Sequence, residues 1–167
     1  MGEVLTRPAG YADDFFLWTQ EQAQALRALG RERTNVAVDW ENVAEEIESL
    51  GRRDRDGCKS HILLIVIHLI KMRFAPHLES RRHWRVELDA FRTRLDRILD
   101  GNPTLRARMD EFVAGEHRRA FKKVLAELED YPHVTLRLNA LIDVPDSWFS
   151  AQDVLDDDYY PEFESSA

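Results

Sequence analysis

The stretch that most constrains this chain is residues 39–74, DWENVAEEIESLGRRDRDGCKSHILLIVIHLIKMRF, which reads as one long helix that changes character midway. The first half is amphipathic. The second half, residues 62–70, is apolar on almost every side apart from His68. Advancing about 100° per residue puts Trp40, Val43, Ile47, Leu50, Asp54, Cys58, His61, Ile65, His68 and Met72 within about 40° of one line. A helix buried on most sides is the central element of an all-α domain, with the first, third and fourth helices expected to wrap it. Polar groups on its buried line need partners.

The remaining periodicities supply those helices. Phe15, Trp18, Gln22, Ala25 and Leu29 recur at helical spacing and mark a first helix ending near Gly30. Asp39 is placed to cap the long helix, and Ala75-Pro76 to end it. Gly57, inside that helix, is the expected place for a kink or a close approach. Trp84, Leu88, Phe91, Leu95 and Ile98 define a third helix. Gly101 suits a left-handed cap, Asn102 an N-cap and Pro103 a first helical position, so a fourth helix is predicted to run on through Leu128 to Tyr131-Pro132. Ser150 and Asp153 predict a capping pair for a short C-terminal helix.

The expected fold is therefore all-α: a single-domain bundle of about four main helices with one long central helix and a short C-terminal helix or extended tail. The division expected is an N-terminal tail over 1–10, a bundle over 11–145 and an acidic, aromatic segment over 146–167, docked on the bundle. A chain of 167 residues, 44% hydrophobic, can fill one core. The apolar run is about half the length needed to span a bilayer. No secretory signal is visible at the start, and a single cysteine suits a reducing compartment, so the expected location is cytoplasmic with no membrane contact.

Several runs together carry a family resemblance. Tyr11 with Asp14, Phe15 and Trp18, DWENVAEEIESLGR from Asp39, HLIK from His68, the Trp84 entry to the third helix, NPTL from Asn102 and the closing DDDYYPE stand in an order that resembles the bacterial domain-of-unknown-function family 29. The resemblance covers nearly the whole chain and implies a small helical protein, with no activity attached. Its pattern carries Ser where this chain has His83, and no cysteine at Cys58, so a mechanism resting on either residue would be particular to this protein.

Candidate chemistry lies on the long helix. Asp54, Cys58 and His61, at i, i+4 and i+7, share one face, and all three residue types bind zinc. Cys58 as a small buried hydrophobe and His61 as a satisfied core histidine is the competing reading. A carboxylate from Glu45, Glu46 or Glu48 cannot pair with His68 on the same helix, because Glu46 and His68 stand about 33 Å apart along a straight axis. The basic run Arg81, Arg82, Arg85 could form a local patch for phosphates, but a net charge of -8 argues against a general nucleic-acid role. Trp40 and Ile47 on the amphipathic half, and Trp148, Tyr159 and Tyr160 in the acidic segment, are the candidate partner-binding residues, for another protein or for self-association.

No catalytic residue or cofactor is implied. The leading expectation is a non-enzymatic helical interaction protein. The alternative is a metal-dependent hydrolase or nuclease-like enzyme using His61, His68 and carboxylates.

Overall fold

The computed structural model describes residues 9–32, 36–75, 78–130, 138 and 148–164. Every regular element among them is helical: α1 (Phe15–Arg31), α2 (Trp40–Phe74), a short 3-10 turn (Leu78–Ser80), α3 (Arg81–Asp100), α4 (Pro103–Arg106), α5 (Met109–Glu127) and α6 (Ala151–Leu155). The all-α expectation and the long helix hold. The predicted ends at Pro76 and at Tyr131-Pro132 lie outside the described residues.

The chain forms two compact units. Met1–Gly57 with Ile98–Ala107 make unit 1, and Cys58–Arg97 with Arg108–Ala167 make unit 2. Each is held by its own core.

In unit 1, Asp14 caps α1 by accepting the Leu17 amide at 2.9 Å. Asp39 caps α2, accepting the Asn42 amide at 3.2 Å. Helix α1 packs on α2 at Gly51. A Cβ added there would overlap Thr19 Oγ1 and stand 3.3 Å from Phe16 Cδ2, so the bare backbone is what admits the buried Phe16 and Thr19. The close approach expected at Gly57 is slight, its nearest contact being Ile98 Cδ1 at 3.3 Å. Phe16 and Thr19 cover this part of α2, and Trp18 stacks with Phe15 and meets Tyr11 edge-on.

The predicted fourth helix is two. Pro103 opens α4 as expected, but Ala107 and Arg108 turn out of the helix before α5 begins. Asn102 stands at the cap position with no capping bond, because its side chain is engaged elsewhere. Gly101 does not adopt the left-handed conformation; its carbonyl accepts the Phe15 amide at 2.9 Å.

Unit 2 carries the larger core. Residues 65–70 are all buried, joined by Leu88 and Leu95 of α3 and by Phe112, Phe121 and Val124 of α5. Burying branched aliphatics of this size is worth about 1.5–3 kcal/mol apiece, which is why the second half of α2 needs so few polar positions. Helix α6 packs on α5, and its start is the predicted capping box, Ser150 accepting the Asp153 amide while Asp153 accepts the Ser150 amide.

Candidate functional site

Among the described residues, interior polar groups gather at several places, of which one in unit 1 and two in unit 2 join the most partners.

In unit 1 the centre is Asn102, 2% exposed. Its Oδ1 accepts the Phe16 amide at 2.7 Å, and its Nδ2 donates to Asp54 Oδ2 at 3.1 Å and to Ile98 O at 2.7 Å. Asp14, also buried, uses its second oxygen to accept the Thr104 amide at 2.6 Å. The start of α1 and the start of α4 thus satisfy one another's unpaired backbone groups. On the outer side, Arg27 of α1 bridges Glu41, Glu45 and Glu48 of α2, and Arg52 pairs with Glu45.

In unit 2 the first place is His68. Nδ1 donates to Leu64 O at 2.7 Å, and Nε2 faces Glu87 Oε2 at 3.0 Å. His83 Nε2 lies 3.3 Å from the same oxygen. The carboxylate beside His68 therefore comes from α3, which the long-helix spacing could not supply. His61 stacks with Phe91 at 6.4 Å, its Nδ1 is buried without a hydrogen-bond partner among the described residues, and burial, then Arg94, push its imidazole below the ordinary value.

The second place is Arg92, 3% exposed although sequence alone makes it one of several charges on an amphipathic helix. It donates to Val154 O at 3.1 Å, Asp153 O at 2.8 Å and Tyr159 O at 3.0 Å, with Asp157 O at 3.5 Å. Among the described residues no carboxylate meets it directly; carbonyls at and after the end of α6 do. Tyr160 donates to Asp89 at 2.5 Å beneath the Arg85 guanidinium, 4.0 Å from the ring centre, and burial followed by Asp89 raises its phenol. Trp148 lies among Phe74, Phe121 and His117, and its amide donates to His117 Nε2 at 3.3 Å.

These placements bear on each expected site. Asp54 accepts from Asn102. Cys58 is fully buried, and burial pushes its thiol up to about 12, so it is a neutral hydrophobe at pH 7. Among the described residues no group of three His, Cys, Asp or Glu side chains is arranged to hold a metal ion. Trp148, Tyr159 and Tyr160 are engaged within unit 2. Trp40 is half-buried with its Cβ against Gly30, and Ile47 is half-buried. Of the basic run, Arg81 donates to Met72 O and Pro161 O and Arg85 covers Tyr160, leaving Arg82 exposed.

Residues 11–160 match the family described as "Domain of unknown function DUF29". The chain belongs to this family. The DUF29 runs coincide with the polar centres: Asp14 of the first run accepts from Thr104 of NPTL in unit 1, while His68 of HLIK and Tyr159-Tyr160 of the closing run meet α3 in unit 2. A DUF29 chain of this sequence is also similar to a solved α-helical protein of unknown function from Rhodospirillum rubrum, at 28% identity and a TM-score of 0.69, covering 92% of this chain and 93% of that one. No protein of curated function matches it. No helix among the described residues is long and apolar enough to cross a membrane.

Proposed function

We propose that this chain is a non-enzymatic cytoplasmic interaction protein that holds a protein partner on the α1–α2 end of unit 1. The observation that carries this is a group of exposed branched aliphatics there: Val36 at 58%, Val38 at 38% and Val43 at 40%, with Leu29 of α1 at 44%. Val43 continues along α2 into half-buried Ile47 and Leu50. Exposed apolar groups scattered singly are ordinary, but a set drawn from one end of one unit fits a docking surface. Asp39 and Glu46, at i−4 and i+3 from Val43, flank it with negative charge. The partner this suits is a segment with apolar side chains and Lys or Arg at its edge. The engagement of Asp14, Asn102, Asp54 and Arg92 in structural hydrogen bonds supports the same reading, since they serve the fold.

A photo-crosslinking residue placed at Val38 tests it, with one at exposed Thr93 as the reference. A discrete adduct from position 38 that position 93 does not give, and that Val43→Glu removes, is the expected result. Equal adducts from both positions, or none, would reject the docking surface.

A further inference from the structure

Helix α5 carries a concentration of positive charge that is mostly unpaired among the described residues. Arg118, Arg119, Lys122 and Lys123 are all exposed, and among the described residues only Arg119 of the four has a partner, Glu116 at 2.7 Å. Elsewhere cations are commonly engaged: Arg27, Arg52, Lys71 and Arg108 by carboxylates, Arg81 and Arg92 by carbonyls. The four residues share an arc of about 140°, with Arg118 and Lys122 one turn apart, as are Arg119 and Lys123, a rise of about 6 Å each. On the same arc lies Gly115, where an added Cβ would meet nothing within 4 Å. A glycine inside a helix weakens it, and no neighbour here requires one. Three cations without a partner among the described residues and a bare helix-interior backbone occur on one face.

We propose that this face of α5 binds the sugar–phosphate backbone of a nucleic-acid duplex, a surface separate from the protein-docking end of unit 1. Lys and Arg one turn apart donate to phosphate oxygens, and Gly115 beside exposed Ala114 lets the backbone come close. Of the carboxylates near the stripe, Glu111 is held by Arg108 at 2.8 and 2.9 Å and Glu127 by Lys71, while exposed Glu129 and Asp130 lie beyond the end of α5. A membrane surface fits less well: the opposite face of α5, Val113, Phe121 and Val124, is buried in unit 2, as is Phe112, so none of them is free to enter a bilayer. A protein partner also fits less well, because the fully exposed uncharged residues beside these cations are Ala114, Gly115 and Ala126, while protein interfaces favour aromatics and disfavour Lys. No aromatic on the face can stack on bases, so binding is independent of sequence. The chain's net charge of -8 keeps it weak and sensitive to salt.

Fluorescence anisotropy with a labelled DNA duplex of about 20 base pairs tests this on the full chain. The expected Kd is on the order of 10⁻⁵ M at about 20 mM salt, with a slope of log K against log salt of about −3. Lys122→Gln with Lys123→Gln weakens binding about tenfold and brings the slope to about −1, with circular dichroism unchanged because both side chains are exposed. Gly115→Leu, which covers the approach without altering charge, weakens binding and leaves the slope near that of the parent. Absence of binding at low salt, or a double variant with the parent's affinity and slope, overturns the proposal. So does retention on phosphatidylserine vesicles without binding to the duplex. Neither outcome touches the crosslinking result from position 38.

Discussion

Asn102 Oδ1 lies 2.7 Å from the Phe16 amide, a contact between residues 86 positions apart made by a side chain that sequence assigns to a local helix cap. The amide it satisfies is one of the first in α1, where no intrahelical acceptor exists. Asn102→Ala leaves that amide and the Ile98 carbonyl without their side-chain partner in a buried setting, and is expected to cost about 2–3 kcal/mol. Asn102→Asp keeps the acceptor but sets a second carboxylate against Asp54, and is expected to be at least as damaging. Urea denaturation of the two variants checks both, and a change below about 0.5 kcal/mol for Asn102→Ala would remove Asn102 from the centre of unit 1.

Two glycines should respond oppositely to alanine. Gly115→Ala replaces a helix-interior glycine in open space and is expected to stabilise by about 1 kcal/mol. Gly51→Ala drives a methyl group into Thr19, whose hydroxyl is tied to Phe16 O at 2.7 Å, and is expected to destabilise by about 1–3 kcal/mol. Adding Thr19→Ala to Gly51→Ala should make the pair less damaging than the sum of the singles. An additive double variant would show that the two side chains do not compete for the same space.

His117 should make stability fall on acidification. Its Nε2 accepts the Trp148 amide, which requires the neutral ring, and burial pushes its pKa below the ordinary value. The unfolded chain binds that proton more readily than the folded one, so stability is complete above an unfolded pKa of about 6.5 and declines as the pH drops below it. His61, lowered in the same direction, adds to the slope. His117→Gln, which can still accept from Trp148 but does not titrate, should flatten the decline between about pH 6.5 and pH 5 in thermal melts. An unchanged slope would assign it to other groups.

Arg92 should govern the order of the C-terminal segment. Arg92→Met keeps much of the buried stem but leaves the Asp153, Val154 and Tyr159 carbonyls without their donor. Amide exchange in residues 151–160 is expected to accelerate at least about tenfold while that in residues 65–70 slows or holds relative to it. Uniform acceleration in both segments would mean that Arg92 supports the whole of unit 2 rather than this segment.

What could be read beforehand follows from how local each cause is. The long helix was legible because a period of 3.6 and a run of aliphatics act through immediate neighbours, and the Ser150–Asp153 box because both partners lie within one turn. Asn102 occupies the cap position that spacing predicts, but its side chain answers to α1, which spacing cannot reveal. Gly51 and Gly57 look alike in sequence, and only the approach of Thr19 separates them. Arg92 belongs to a row of charges on α3, and its burial depends on carbonyls that arrive some sixty residues later. The basic run at Arg81 is dense in sequence, yet two of its members are occupied, whereas the α5 cations are interleaved with apolar positions and form no run.

Cys58 turns unit 2 into its own reporter. It is the chain's single thiol, and in the folded state it is both inaccessible and protonated at neutral pH, so a disulfide reagent can reach it only through an opening of the surrounding core. The rate of thiol modification under native conditions is therefore a clock for that opening, readable without a label, a mutation or a ligand.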